Sequence, residues 1–526
     1  MPDSSGYNVF LKKRHWPLKG AFRVKQKDSR ILRKRKRKIK RRLARRAWRE
    51  QRQPMMGARN IQYEMADRIR AIDCGAIGAF HLMAQRVGLV AGINQDVPLL
   101  KRHLPYFESD HVLNIAYNTL TGGRCLDGLE VRRQDEAYLD ALGAQRIPDP
   151  TTAGDFTRRF GPEDVTALME TVNGIRSQMW RRRLKGSERE EAILDVDGTM
   201  APTTGECKGG MGLSYKGVWG YHPLLLSLAN TSEPLYVVNR PGNRPSHEGS
   251  AAWIDRAVAL VGETFDRVVV RGDTDFALTG QFDAWTAGGV GFAFGLDAMP
   301  NLVTLAAGLD SGVWRPLKRR PKRDEPSSRR RRPANVKERI VREKRYKNIR
   351  LTSEWVTEVA YQPTKCRQPY RLVILRKDLS IERGEEVVFP DIRYLFYITN
   401  LDEMTTPEVV SFCNDRCNQE NLIDQLKNGL NAMRMPVGDL VSNWAYMVMA
   451  SLAWTLKAWF ALLVRRRDQR SALLRMEFRR FLIGVVRVPA QIVQTGRRIV
   501  YKILGYTEWT RTFLQVFEDI SALRWT

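Results

Sequence analysis

Two pairs of aspartates stand where apolar runs end, and they are the first residues whose chemistry suggests a function. The segment AILDVDGT carries Asp195 and Asp197, and the segment RVVVRGDTDF carries Asp273 and Asp275. Alternate residues of a strand project from one face, so each run would present carboxylates at the carboxyl end of a strand. Sheets of α/β proteins place their sites at those ends. One such pair is equally explained by an aspartate that caps a turn, but two independent pairs favour a site.

The third candidate is the stretch CNDRCNQENLIDQLKNG, residues 413–429. On one helix at about 100° per residue, a stripe about 60° wide would hold Cys413, Arg416, Glu420 and Lys427. Arg416 and Glu420 are alternatively an i, i+4 ion pair on a solvated face, worth only a few tenths of a kcal/mol. The surrounding asparagines and glutamine are poor choices for a purely structural helix, which favours a functional face.

Carboxylates from three segments would suit a pair of Mg²⁺ ions. Cleavage of a phosphodiester requires stabilisation of charge on the attacking and leaving oxygens, which two ions about 3.5–4 Å apart provide. Mg²⁺ takes hard oxygen ligands, and Mn²⁺ can substitute for it. The six cysteines and six histidines show no metal-ligand spacing, so carboxylates are the predicted ligands. Arg416 and Lys427 would then neutralise phosphates on either side of the reacting one.

The positive charge of the chain is confined to two segments. The 526 residues carry 87 Lys+Arg against 58 Asp+Glu, a formal net charge of +29. Residues 11–50 hold 20 bases and 2 acids, and residues 315–350 hold 17 bases and 4 acids, which leaves 50 bases and 52 acids elsewhere. Such localised charge is typical of a protein that binds a polyanion.

Composition also indicates the cellular compartment of the protein and the kinds of partner it has. The cysteines form no CxxC pair and no disulfide framework, which predicts a reducing compartment. The polar, basic N-terminus lacks the apolar region of a signal peptide. Residues 444–464 are apolar and long enough to span a bilayer, but Lys457 interrupts them and no second span accompanies them. We therefore expect a cytoplasmic, nucleoid-associated protein with no membrane partner.

The elements that must position these residues follow from the hydrophobic pattern. A helical pattern covers 60–185, and short β-rich runs then alternate with helix-like stretches, which predicts a mixed α/β fold. The strands are predicted at 192–197, 223–231, 234–239, 267–272, 291–297, 353–361, 370–376 and 393–399, and a helical tail is predicted from about 406 to the end.

The same pattern divides the chain into six regions. A basic arm, disordered when free, is followed by a helical domain, an α/β core in two parts, a basic β-rich insertion between those parts, and a helical C-terminal region. The predicted bounds are 1–59, 60–185, 186–300 and 401–465 for the two core parts, 301–400 for the insertion, and 466–526.

These motifs resemble those of the DDE transposases of bacterial insertion sequences, which have an RNase H-like core. The family's helix signature, Tyr-x2-Arg-x3-Glu-x6-Lys, is matched at three of four places, with Cys413 at the position of Tyr. The family's first strand ends in Asp-x-Thr, as at 197–199, and its fourth ends as at 273–276. The 146 residues between Asp273 and Glu420 resemble the branch with a β-strand insertion. The phrases ESDHVLNIAYNTLTGG, YHPLLLSLANT and NRPGN resemble insertion-sequence family thirteen-eighty.

The resemblance implies a catalytic, metal-binding triad of Asp197, Asp273 and Glu420. Asp195 and Asp275 would be close neighbours that support those ligands. Asp197 is preferred to Asp195 because it fits the Asp-x-Thr phrase.

The resemblance also implies residues that contact DNA. Arg416 and Lys427 would bind the DNA end, whereas the thiol of Cys413 cannot reproduce the hydroxyl that relatives use near a flipped nucleotide. Trp314 and Trp355 are the candidates in the insertion on which an extruded base would stack.

The implied activity is cut-and-paste transposition. Such a protein would bind the terminal inverted repeats of its element, cleave the double-stranded DNA at each end, join the 3′-hydroxyls to target DNA, and act as a homodimer once assembled on DNA. Two alternatives stay open at this point: a non-catalytic nucleic-acid-binding protein, since the basic arm alone binds nucleic acid, and a stand-alone RNase H-like nuclease, which would cut without joining.

Overall fold

The computed structural model describes residues 26–44, 61–63, 69–319, 336–383, 386–496 and 498–523. Most of the predicted basic arm and residues 320–335 of the second basic segment lie outside the described residues. The predicted disorder of the free arm and the six domain bounds stay predictions.

The N-terminal region is helical, as its periodicity predicts. Asp149 caps one of its helices, since its Oδ1 accepts a hydrogen bond of 2.8 Å from the N–H of Thr152, and Pro150 begins that helix as proline favours. The elements are α1 (Gln26–Ala44), β1 (Ala71–Ile72), α2 (Ile77–Arg86), α3 (Leu89–Asp96), α4 (Glu108–Leu120), α5 (Gly128–Arg133), α6 (Glu136–Leu142), α7 (Pro150–Thr157) and α8 (Pro162–Arg183).

The α/β region follows α8, and all five strands predicted before residue 300 are present. A small sheet of β3, β5 and β4 branches from it. The elements are β2 (Glu191–Gly198), β3 (Ala201–Pro202), β4 (Gly212–Leu213), β5 (Trp219–Tyr221), β6 (Leu224–Leu228), β7 (Glu233–Val238), α9 (Ser250–Gly262), β8 (Arg267–Gly272), α10 (Phe282–Ala287), β9 (Gly291–Leu296) and α11 (Pro300–Ala307).

The three strands predicted after residue 350 are also present, and they are longer than predicted. They do not form a separate sheet, because the last of them pairs antiparallel with β9. The elements are β10 (Arg315–Pro316), α12 (Val336–Glu343), β11 (Lys347–Tyr361), β12 (Tyr370–Arg383) and β13 (Glu386–Thr399).

One nine-stranded mixed sheet therefore runs through the protein, in the order β7-β6-β2-β8-β9-β13-β12-β11-β10. β2, β8 and β9 are parallel to one another, and the remaining neighbours are antiparallel. The parallel strands β2 and β8 bring the aspartates at their carboxyl ends to the same edge of the sheet.

The chain after the sheet departs from the predicted helical tail in one place. A hairpin stands at 490–503 and pairs with β1; its β-branched runs flank Gly496, which has a φ of +56° and so favours a turn. The elements are α13 (Thr406–Asn414), α14 (Cys417–Asp424), a π-helix (Gln425–Gly429), α15 (Leu440–Leu462), α16 (Arg467–Leu474), α17 (Phe478–Phe481), a second π-helix (Leu482–Val486), β14 (Ala490–Thr495), β15 (Arg498–Ile503) and α18 (Thr510–Ala522).

α15 is a central element of the core. Within the part of the chain that the structure describes, it is the one helix long and apolar enough to cross a membrane by length and composition, and its apolar window is fully buried inside the protein. It packs against α4, α8, α16 and β7. Lys457, within α15, is buried with it, and its Nζ donates a hydrogen bond of 2.9 Å to the carbonyl of Leu474.

Candidate active site

The guanidinium of Arg416 lies among three carboxylates. Its Nη1 is 2.8 Å from Oδ2 of Asp197, and its Nη2 is 4.0 Å from Oδ2 of Asp273 and 3.9 Å from Oε1 of Glu420. The three carboxylates come from different elements: the end of β2, the residue after β8, and the first turn of α14. The fold thus brings together the three residues that the sequence predicts as a triad.

The three carboxylate side chains differ in how far they are exposed to solvent. Asp197 is 14% exposed, Asp273 36% and Glu420 60%, so the cluster opens to solvent on the side of the glutamate.

The electrostatics of the cluster favour a further cation. Burial raises the pKa of Asp197 to about 6, with repulsion from Asp273 adding to the rise and Arg416 opposing it. Burial likewise raises the pKa of Asp273. Burial acts to lower the pKa of Arg416, but its carboxylate neighbours outweigh that effect and raise it. Three carboxylates share one guanidinium, so the cluster is short of positive charge.

The oxygen donors of the cluster are of the kind that divalent metal ions prefer. Among the described residues, no three His, Cys, Asp or Glu side chains are grouped so as to hold a metal ion as they stand. Their oxygens are the hard ligands that Mg²⁺ and Mn²⁺ prefer, and they already converge on one positive charge. The residues present therefore fit the metal that the sequence suggests.

Asp195 is held differently from Asp197, although both lie on β2. It is 1% exposed, and its carboxylate accepts two hydrogen bonds from Arg271 of β8, one of 3.2 Å from Nη2 to Oδ2 and a shorter one from Nε. Arg271 also donates to the carbonyl of Phe412 at 2.8 Å. Asp195 therefore ties β2, β8 and α13 together behind the cluster.

Asp275 and Lys427 lie at the margins of the cluster. Asp275 is exposed, and its N–H donates a hydrogen bond of 3.1 Å to Oδ1 of Asp273, which orients that carboxylate. Lys427 lies in the π-helix after α14. Burial lowers its pKa, and the negative charges of Asp197 and Asp424 oppose that change. The ammonium group of Lys427 is thus within electrostatic reach of Asp197.

The prediction of a single helix across 413–427 is wrong. α13 ends at Asn414 and α14 begins at Cys417, so Arg416 stands at the junction between two helices. Cys413 lies on the first helix and packs against the apolar cluster around Val373 and Val410; burial raises the pKa of its thiol to about 12. Its predicted contact with DNA stays a prediction.

Trp314 and Trp355 both lie where β10 meets β11. Pro316 pairs with Trp355 in that ladder. Trp314 is 9% exposed, and Arg376 lies over its ring at 6.0 Å. The Nε1 of Trp355 donates to Oδ2 of Asp378 at 3.0 Å. Both rings are thus integrated into the extended sheet, and stacking on an extruded base stays a prediction.

Two further residues near the cluster were not predicted as site residues. The buried Nε2 of Gln419, next to Glu420, donates to the carbonyls of Asp195 at 2.9 Å and Leu225 at 3.2 Å, which fixes α14 on the sheet. The sequence offers one signal for it, an amide beside the glutamate in an otherwise exposed turn.

The second is His222. A Cβ at Gly198 would lie 3.1 Å from the imidazole Cε1 and Nε2, so a larger residue there would crowd His222. The Nδ1 of His222 lies 3.1 Å from the carbonyl of Arg244 and must donate to it, which leaves Nε2 beside the end of β2 as an acceptor. A histidine before a proline carries no sequence signal of this placement.

Similarity to known proteins gives the family of the chain. The family model described as transposase DDE domain group 1 matches residues 79–525, and no curated protein matches the chain. Among solved structures, the chain is similar to a piggyBac transposase in a synaptic complex with hairpin DNA, at 11% identity over 86% of each chain and a TM-score of 0.33. Because the family model covers most of its length, the chain belongs to the DDE transposase family, whose domain indicates a role in DNA transposition.

Proposed function

We propose that this chain is a cut-and-paste transposase with an RNase H-like core. It binds the terminal inverted repeats of its element, cleaves the DNA at both ends, and joins the freed 3′-hydroxyls to target DNA. Its closer relatives are the insertion sequences of family thirteen-eighty, its working form is a homodimer on DNA, and its place in the cell is the bacterial nucleoid.

One observation carries the proposal. Asp197, Asp273 and Glu420, which are far apart in the chain, all lie within 4.0 Å of one guanidinium. The strand order supports it, since β7-β6-β2-β8-β9, with β8 and β9 parallel to β2, is consistent with an RNase H-like core. The aspartates then stand at the carboxyl ends of adjacent parallel strands, where α/β sheets bind ligands.

Asp197, Asp273 and Glu420 would hold the metal ions. When bound, two Mg²⁺ ions supply stabilisation of charge on the attacking and leaving oxygens of the phosphodiester. The protein itself fixes the ligands: Asp195 and Arg271 lock β2 to β8, and Gln419 holds α14 against β2 and β6.

Arg416 and Lys427 supply positive charge on the DNA side of the cluster. The Arg416 guanidinium lies within 4.0 Å of all three carboxylates. If metal ions were held by those carboxylates, the guanidinium would be available to pair with a phosphate, for which its planar fork is suited. Lys427 adds a point charge. Because its side chain is partly buried, it attracts a phosphate more strongly than it would in bulk water.

The test is cleavage and joining of a duplex that carries the element's terminal repeat. Asp197→Asn, Asp273→Asn and Glu420→Gln should each lower Mg²⁺-dependent cleavage by at least about 1000-fold and leave duplex binding within about threefold. The matched control is Asp424→Asn, an exposed carboxylate four residues after Glu420 on the same helix, which should cleave like the wild type.

The outcomes separate the candidate activities. Cleavage followed by joining to a target plasmid supports a transposase, whereas cleavage without joining would indicate a nuclease alone. Retained cleavage in one of the three variants would remove that residue from the triad. EDTA should abolish cleavage, and Mn²⁺ should restore it.

A further inference from the structure

A cation-rich groove lies at the other end of β2, away from the carboxylate cluster. It encloses about 380 Å³. Its walls are the end of α8 and the loop before β2 on one side, and the segment between α15 and α16 on the other; they are formed by Arg182, Arg183, Lys185, Glu188, Arg465 and Arg470. Five of its six lining residues are basic.

The backbone at the end of α15 holds two of these guanidiniums in place. Arg183 donates from Nε to the carbonyl of Leu462 at 3.2 Å and from Nη2 to that of Leu463 at 2.9 Å. Arg470 donates to the carbonyl of Val464 at 3.3 Å. Unsatisfied carbonyls at a helix C-terminus attract cations. The groove is therefore preorganised, and its cations are not free to disperse into solvent.

The cations at the groove crowd one another. Glu188 serves both Arg470, at 3.2 Å, and Arg467, at 3.8 Å, while Arg465 pairs with Asp519. Burial lowers the pKa of Arg183; Asp519 opposes that change, and repulsion from Arg470 and Arg465 adds to it. Such crowding costs free energy in the free protein, and a bound anion would relieve it.

We propose that this groove binds backbone phosphates of duplex DNA at a point separate from the reacting phosphate. The inference rests on the proposed function, because that function brings duplex DNA to the protein. β2 has eight residues and is about 25 Å long at about 3.3 Å per residue, so a phosphate at the groove is well separated from one at the carboxylate cluster.

The experiment uses the full-length protein and a mixed-sequence duplex of about 30 base pairs, because phosphate contact is independent of sequence. The variant is Lys185→Glu/Arg467→Glu. Lys185 is exposed and Arg467 is 74% exposed at the first turn of α16, where a glutamate suits the helix N-terminus. Thermal unfolding of the variant checks that it folds.

Loss of about two phosphate contacts should flatten the slope of log affinity against log salt by about 2, at about 0.9 per phosphate. Affinity at about 0.1 M salt should fall at least tenfold. The control is Arg256→Glu/Arg393→Glu, which reverses the same number of charges at half-exposed arginines that each pair with a carboxylate, Glu170 and Asp391. The control should keep its slope within about 0.5 of the wild type.

Equal slopes for variant and control would overturn the proposal. Titration with inorganic phosphate separates the two sources of phosphate: binding of phosphate alone that the variant loses, with an unchanged DNA slope, would make a free anion the ligand and overturn the assignment to DNA. A wild-type chain that binds DNA through the groove but never cleaves it would contradict the proposed function and leave the groove standing.

Discussion

The two ends of β2 are opposites in charge. At one end three carboxylates surround a single guanidinium, that of Arg416. At the other end two guanidiniums, those of Arg467 and Arg470, share the carboxylate of Glu188. In the two proposals a ligand of opposite sign would complete each end, a cation at the first and an anion at the second.

The ends also differ in how they are built. The carboxylates stand on strand ends and a short helix, and they are graded from buried Asp197 to exposed Glu420. The cations of the groove are anchored to helix carbonyls. A reacting site needs ligands that can admit ions and substrate, whereas a holding site needs only fixed charge.

The largest expected effect comes from removing the buried carboxylate of Asp195, which supports the carboxylate end of β2. Asp195→Ala leaves the Arg271 guanidinium buried without its carboxylate. We expect a loss of about 3–5 kcal/mol in the free energy of unfolding, measured by urea denaturation. The double variant Asp195→Leu/Arg271→Met should recover much of that loss. A loss below about 1 kcal/mol for Asp195→Ala would show that this pair does not hold the sheet.

Arg416→Met should lower cleavage by about 100-fold, as removal of a positioned charge stabiliser does. The cleavage rate of Arg416→Lys should lie between those of the wild type and Arg416→Met, because an ammonium keeps the charge but not the reach to three carboxylates. The measurement is single-turnover cleavage with Mg²⁺. Arg475→Met, at an exposed arginine just after α16, is the control, and similar losses in both variants would contradict a specific role for Arg416.

A smaller effect should appear in the pH dependence of stability. The Asp197 carboxyl has a pKa of about 6 in the folded protein against an ordinary 3.8. The folded state therefore binds the extra proton between these values, and the wild type loses stability relative to Asp197→Asn as the pH rises from about 4 to about 6. The expected change is about 3 kcal/mol without metal, from denaturation curves of both proteins.

Mg²⁺ provides the check on that prediction. It should raise the unfolding temperature of the wild type at pH 7 more than that of Asp197→Asn, because only a ligand that binds the folded state stabilises it. Parallel pH curves for the two proteins would show that Asp197 is not short of a counterion.

The smallest effect concerns the basic arm, whose positive charge lies in residues 11–50. Its described part, α1, meets the rest of the protein through Arg35, which donates to the carbonyl of Ile503 at 2.6 Å. Deletion of residues 1–50 should lower affinity for repeat and random duplexes by similar factors and flatten both salt slopes. The ratio of the affinity for the repeat to the affinity for random DNA should change less than about twofold. Loss of the preference for the repeat would mean that the arm reads sequence.

The sequence predicts most of what lies on strands. Alternation and β-branched runs locate β2 and β8, and both aspartates of the predicted triad stand where those strands end. The signature spacing then predicts Glu420 as the third member. These features are local in sequence, so a period of two or a fixed spacing carries them.

What the sequence leaves out depends on tertiary contacts. A helical period cannot show that the helix is interrupted at 415–416. Because of this interruption, Cys413 packs into the apolar cluster while Arg416 faces the carboxylates. The groove joins Arg183 to carbonyls about 280 residues later. Ala71 pairs with Gln491 of the hairpin at 490–503, which is a larger separation still, so no local pattern predicts it.

The long separation between partners has a consequence for biogenesis. Asp197 and Arg416 are 219 residues apart, and Arg183 and Leu463 are 280 residues apart. Contacts of such separation close large loops and slow folding. A nascent chain that has passed β2 on the ribosome still lacks residues of both charge centres, because the carboxylate cluster is complete only at Glu420 and the groove only at Arg470. A product terminated before α14 would therefore have neither centre.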